Sequence, residues 1–184
     1  CGFVGRNFVK RLYNTTNDTI IFIDDLSVGT HPSTWLPENT PSRKAGGLEY
    51  FGDDERMIFI HKDVRIILEG LLQDPDYFNS TFGLEIGQFN DVFHFAAIVG
   101  GRATIDGDPM KVALDLAIDA TFFKWICEHK PKRVLYPSSS AAYPTDLQTE
   151  SDAIALSESD INFKKMGQPD MTYGWTKLTG EYLA

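Results

Sequence analysis

Tyr173 and Lys177 stand four residues apart in Tyr173-Gly174-Trp175-Thr176-Lys177, a spacing that puts both side chains on one face of a helix. An ammonium held near a phenol favours the phenolate and lowers its pKa from about 10 toward neutrality. Such a tyrosine can take or return the proton of a hydroxyl while a hydride moves to or from a nicotinamide. Taken alone, the pair reads more simply as a surface cation–aromatic contact. Its position in the chain adds weight. An apolar run, Arg133–Tyr136, leads into Pro137-Ser138-Ser139-Ser140-Ala141-Ala142-Tyr143-Pro144 upstream of the pair. A serine just past the carboxyl end of a parallel strand sits where such sheets hold their ligands. The plainer reading of three serines is a polar loop with capping duties.

A second group of residues opens the chain. Gly2 and Gly5, in Cys1-Gly2-Phe3-Val4-Gly5-Arg6, match the last two glycines of a G-x-x-G-x-x-G turn before a helix. Such a turn lets backbone N–H groups approach a diphosphate and lets helix and strand pack closely. The helix N-terminus adds a partial positive charge. Asp24-Asp25 ends the run Thr19–Ile23, with Asp24 nineteen residues after Gly5, close to the ~20 expected for a ribose-binding acid. A carboxylate there favours NAD over NADP by repelling a 2′-phosphate; as an alternative, Asp24 merely caps a loop.

These residues need a scaffold that alternates strands and helices. Four short runs, Thr19–Ile23, Met57–His61, Asp91–Phe95 and Arg133–Tyr136, are too short for helices and read as strands buried on both faces. Helical stretches lie between them. Arg6–Tyr13 carries Phe8, Val9 and Leu12; Val64–Leu72 carries Ile67, Leu68, Leu71 and Leu72. Pro109–Glu128 presents Val112, Leu116, Phe123 and Trp125. The alternation predicts right-handed βαβ units and a doubly wound parallel α/β sheet. The proline- and glycine-rich segment 31–54 is expected to be an inserted loop, and the polar stretch 144–172 a lid.

Composition narrows the partners. The net charge of −9 argues against nucleic acid or an anionic membrane, which need a basic face. Hydrophobic residues at 42% support one sizeable core. The two cysteines, Cys1 and Cys127, imply no disulfide framework and suit a reducing compartment. No apolar run is long enough to span a bilayer, and no His, Cys, Asp or Glu cluster has metal spacing. His94 reads as a core or anchoring residue, and Arg102 as an exposed one. With no initiating Met, the chain is expected to be an internal piece of a longer one.

Taken together, Gly2-x-x-Gly5, Asp24-Asp25-Leu26-Ser27, Asp63-Val64, His94-Phe95-Ala96-Ala97, Ser138-Ser139-Ser140 and Tyr173-x-x-x-Lys177 resemble the extended short-chain dehydrogenase/reductases of the NAD-dependent nucleotide-sugar epimerase/dehydratase family. The resemblance covers nearly the whole chain. It implies a Rossmann-type domain over 1–184, lacking the family's first strand and its C-terminal substrate region. It implies NAD bound by Gly2, Phe3, Val4, Gly5, Asp24, Asp25, Asp63, Val64, Ala96 and Ala97. It assigns catalysis to Ser139, Tyr173 and Lys177, with Tyr173 and Lys177 also touching the cofactor. A nucleotide-diphosphate sugar substrate, a homodimer built on the helix Pro109–Glu128 and the helix bearing Tyr173, and a cytoplasmic location are further expectations.

Within the family, Ala96-Ala97-Ile98-Val99-Gly100-Gly101, Ser-Ser-x-x-x-Tyr143-Pro144 and Leu156-Ser157-Glu158-Ser159-Asp160 resemble the GDP-fucose synthases and GDP-mannose 3,5-epimerases. Those enzymes place a Cys acid/base two residues after the serine, and the 4,6-dehydratases place a Glu. Ala141 can do neither job, so the expected chemistry is redox at a single carbinol, as in a 4-epimerase or reductase. Asp115 and Asp119 stand where the family's helix commonly has amides. A non-catalytic NAD-binding homologue is the alternative.

Overall fold

The β-branched and aromatic residues of Ile20–Asp24 and Met57–His61 form strands β1 and β4. In this computed structural model, which describes residues 1–98, 101–148 and 155–184, they pair in parallel, Ile20 opposite Met57 and Asp24 opposite His61. The described residues divide into two units, Cys1–Phe89 and Asn90–Ala184, each with its own sheet.

In the first unit, helix α1 (Phe3–Thr15) precedes β1, and α2 (Val64–Gln73) and α3 (Tyr77–Phe82) follow β4. Between β1 and β4 the segment expected to be a loop forms a hairpin, β2 (Ser42–Ala45) and β3 (Leu48–Phe51), which extends the sheet to the order β1-β4-β3-β2. The reason is local. Gly46 and Gly47 adopt φ of +60° and +81°, the two left-handed residues that a tight hairpin turn demands. β4 is buried from Met57 to Ile60, and Val9, Ile20, Leu36, Phe51, Met57 and Phe59 form one core cluster. The α/β expectation and β4's bounds hold as read.

In the second unit, β5 (Asp91–Phe93) pairs in parallel with β6 (Arg133–Leu135), Val92 opposite Val134. The crossover carries α4 (Arg102–Gly107) and the long α5 (Pro109–His129). Asp108 starts α5, its side chain accepting the Lys111 N–H at 3.0 Å, with Pro109 at the first helical position. Helix α6 (Met171–Leu183) packs on α5. Two expectations change here. Leu116 is exposed, and Asp115 and Asp119 hold buried places on α5 instead. All of β6 is exposed rather than buried on both faces. The stretch 144–172 holds short helical turns at Thr145–Leu147 and Glu158–Asp160; its residues 149–154 lie outside the described residues, as do Val99 and Gly100.

Candidate active site

In the first unit the glycine turn and the acid come together. Gly2 caps α1 with no side-chain hydrogen bond, and the first turn has no acidic residue. A Cβ built on Gly2 or on Gly5 meets nothing within 4 Å, and the first N–H groups of a helix have no partner within it. Phe3 and Val4 are exposed there. Asp24, at the carboxyl end of β1, lies beside this turn, its Oδ2 2.7 Å from the Cys1 nitrogen. Its Oδ1 accepts the Leu26 N–H at 2.8 Å. Gly29 allows the approach: a Cβ there would lie 2.9 Å from both the Asp24 carboxylate and Cys1 Cβ. This arrangement suits the diphosphate and ribose of a dinucleotide.

The other first-unit residues have partners within the chain. Asp25 accepts the Ser27 N–H and hydroxyl at 2.9 and 2.7 Å, closing its own turn. Asp63 caps α2 by accepting the Arg65 N–H at 2.9 Å and also pairs with the Arg65 guanidinium at 2.5 Å. That guanidinium holds the Asp63 carboxyl below the usual carboxylate range. Val64 follows as the first residue of α2.

In the second unit the folding of α6 onto one turn assembles the predicted triad. A Cβ on Gly174 would collide with the Ala141 carbonyl oxygen and with Pro169, and the Asp170 N–H donates to that same carbonyl at 2.9 Å. The helix that carries Tyr173 and Lys177 therefore lies directly on the turn Ser140–Ala142. Ser139 caps that turn, its Oγ accepting the Ala141 N–H at 3.2 Å, and its hydroxyl is close enough to the Tyr173 phenol to influence its ionisation. Lys177 is buried. Its Nζ lies 5.9 Å from the centre of the Tyr173 ring and 5.0 Å from that of Tyr136, and donates a long 3.4 Å hydrogen bond to the Pro137 carbonyl. Ala96 and Ala97 follow β5, half-buried.

The electrostatics of Tyr173 correct one expectation. Its phenol is held above the ordinary value near 10, not below it. Burial is the main cause, and the carboxylates of Asp115 and Asp119 add to it; the nearby Ser139 hydroxyl opposes them. The reason is placement: the ammonium of Lys177 rests over the ring faces and a carbonyl rather than at the phenol oxygen.

Two buried carboxylates surround this group. Asp115, 1% exposed, accepts the Ile98 N–H through Oδ1 at 2.5 Å, while its Oδ2 has no hydrogen-bond partner among the described residues. Burial pushes its carboxyl up to about 6, against the pull of the Ile98 N–H and Lys177. Asp119 binds His94 Nε2 at 2.9 Å and accepts the Tyr136 hydroxyl at 2.7 Å. Nothing in the sequence pattern singled out Tyr136. The available signal was the pair of acids four apart among Val112, Ile118 and Phe122, which share one buried face of α5. His94 is buried and stacked on Phe122 at 4.1 Å, an anchoring residue as read. Arg102 is exposed and paired with Asp170 at 3.0 Å. An open cleft of about 510 Å³ is lined by Tyr136, Ser138, Ser139, Tyr143, Glu158 and Glu181 among others, with neither Tyr173 nor Lys177 in its lining. Among the described residues no group of three or more metal-ligating side chains occurs, and no helix is long and apolar enough to cross a membrane.

The NAD dependent epimerase/dehydratase family model matches residues 1–184, and the chain belongs to that family. No curated protein sequence matches it. Solved structures share its fold. The UDP-Glc/GlcNAc 4-epimerase of Campylobacter jejuni is similar with a TM-score of 0.67 at 17% identity, over 99% of this chain and 45% of that one. The UDP-N-acetylglucosamine 4-epimerase of Methanobrevibacter ruminantium, solved with UDP-N-acetylmuramic acid, gives 0.62 at 20%, over 98% and 46%. A dTDP-glucose 4,6-dehydratase of Streptomyces venezuelae, solved with NAD, gives 0.63 at 18%, over 99% and 47%. The chain thus spans less than half the length of these structures.

Proposed function

We propose that this chain supplies the cofactor-binding and catalytic residues of an NAD-dependent nucleotide-sugar epimerase or related oxidoreductase that works at a sugar carbinol. The observation that supports this most is the gathering of Ser139, Tyr173 and Lys177 by the packing of α6 on one turn. The open N-terminus of α1 and Asp24 fit the diphosphate and adenosine ribose of NAD, with Phe3, Val4, Asp25, Asp63 and Val64 around the adenosine and Ala96 and Ala97 along the cofactor. Bound NAD supplies a hydride acceptor. Ser139 orients the sugar hydroxyl, Tyr173 exchanges its proton, and Lys177 holds the ribose and offsets the charge of the phenolate. Burial holds the Tyr173 phenol above its ordinary value, which favours its service as a proton donor to a carbonyl oxygen. Service as a base requires a cation to move closer to its oxygen, and Lys177 is the near one.

Ala141 leaves no Cys or Glu beside Ser139, which favours single-carbinol chemistry over 3,5-epimerisation or 4,6-dehydration. The motif at Ala96–Gly101 suggests a GDP-sugar, whereas the structural relatives act on UDP- and dTDP-sugars; the substrate is sought among all three. A cytoplasmic homodimer joined through α5 and α6 belongs to the same reading. The raised phenol favours one alternative, a homologue that binds NAD without turnover.

The test is Tyr173→Phe in the full-length protein. The expected outcome is a kcat reduced at least 10³-fold with NADH affinity changed less than about threefold. Unchanged turnover would remove Tyr173 from the chemistry. Wild-type protein that binds NADH and turns over no nucleotide sugar would establish the non-catalytic homologue.

A further inference from the structure

Beneath Lys177 lies a chain of buried polar groups that the triad itself does not use. Both oxygens of Asp119 are engaged, one by His94 Nε2 at 2.9 Å and the other by the Tyr136 hydroxyl at 2.7 Å. His94 is fixed in turn. Its ring lies flat on Phe122, with a 6° angle between the planes, and its backbone N–H donates to the Leu135 carbonyl at 3.0 Å. The carboxylate therefore has little freedom to rotate. It holds the hydroxyl end of Tyr136, whose other end is fixed by the backbone just past β6. The Tyr136 ring is the surface on which the buried Lys177 ammonium rests, 5.0 Å from its centre. A 3.4 Å hydrogen bond to the Pro137 carbonyl is too long to place an ammonium by itself. Helix α6 is shaped for the same purpose. Gly180, three residues beyond Lys177, stands where a Cβ would collide with the Tyr136 hydroxyl and ring.

A phenylalanine could fill this space and offer Lys177 the same aromatic face. Burying a carboxylate, 3% exposed at Asp119, carries a desolvation penalty that simple packing does not require. What the carboxylate adds is orientation. We propose that Asp119 is a positioning residue for Lys177, acting through a His94–Asp119–Tyr136 hydrogen-bonded unit that fixes the aromatic floor under the ammonium. The proposal rests on the role given above to Lys177.

The test uses full-length Tyr136→Phe, which keeps the ring and removes its tether, with Asp119→Asn as a second variant. Each variant is melted to confirm folding. The first readout is competitive labelling of lysines by acetic anhydride, resolved by mass spectrometry, and needs no catalysis. Lys177 is expected to react about ten times faster in both variants, while the exposed Lys111 and Lys124 react as in wild type. The second readout is kinetic: kcat falls about tenfold and the NADH Kd rises a few-fold, while KM for the nucleotide sugar stays put. If Lys177 labelling is unchanged in a folded Tyr136→Phe protein, the positioning role is overturned. If labelling rises but wild type has no turnover, the positioning role stands and the catalytic reading is what fails.

Discussion

At the scale of single residues, the buried carboxylates give the most direct prediction of pH dependence. Asp115 has its carboxyl raised from an ordinary 3.8 to about 6, by burial first, with Asp119 adding and Lys177, His94 and the Ile98 N–H opposing. The folded protein thus keeps a proton that the unfolded chain has already released. This site loses stability as pH rises from about 4 to about 6, and above that the loss is complete. Asp115→Asn removes the charge and keeps an oxygen for Ile98. It is expected to raise stability at pH 7.5 by up to about 3 kcal/mol, an advantage that vanishes at pH 4. Thermal melts at the two pH values check this, and equal gains at both would contradict it. Asp24 gives a second prediction. Its place beside the α1 turn implies that Asp24→Asn lowers the preference for NADH over NADPH at least tenfold in fluorescence titrations. The shared helix face of Tyr173 and Lys177 and the strand-end position of Ser139 were legible in the sequence, while their joint assignment to catalysis came from the family resemblance. The upward shift of Tyr173 was not legible, because it depends first on burial in the folded chain, then on two carboxylates from a different helix.

At the scale of elements, glycines decide how closely α6 approaches its neighbours. Gly174 faces a backbone carbonyl, Ala141 O, whereas Gly180 faces the side chain of Tyr136. Backbone cannot step aside as a side chain can. Gly174→Ala is therefore expected to cost more stability, roughly 3 kcal/mol against roughly 1–2 for Gly180→Ala, as read by urea unfolding. Gly174→Ala should also lower kcat at least 100-fold by moving Tyr173 away from Ser139. The reverse order of stabilities would contradict the packing described here. The strands β1, β4, β5 and β6 were readable within a residue or two because short β-branched runs have few alternatives. The β2–β3 hairpin was hidden by charged residues, Arg43, Lys44 and Glu49, although Gly46-Gly47 carried its turn in plain view. Leu116 was taken for a core residue because hydrophobicity was counted without the two acids. Hydrogen bonds to Ile98, His94 and Tyr136 let those acids occupy the buried face of α5.

At the scale of the whole molecule, the features of a dinucleotide enzyme fall into separate halves of the chain. The glycine turn and Asp24 belong to the first unit, and Ser139, Tyr173, Lys177 and their buried carboxylates to the second. Both units place their candidate residues near the carboxyl ends of parallel strands, where α/β sheets bind ligands. Family membership over all 184 residues was anticipated because motifs at both ends of the chain agreed in order and spacing. The sugar was not, because residues 1–184 correspond to less than half of each related structure. The most direct test of the central claim is an NADH fluorescence titration of the full-length protein, alone and with UDP-, GDP- and dTDP-sugars in turn. Saturable NADH binding is expected, with a change in its fluorescence, by quenching or oxidation, on addition of one nucleotide sugar. Absence of NADH binding would contradict the assignment of Gly2, Gly5 and Asp24, and with it the proposed enzyme.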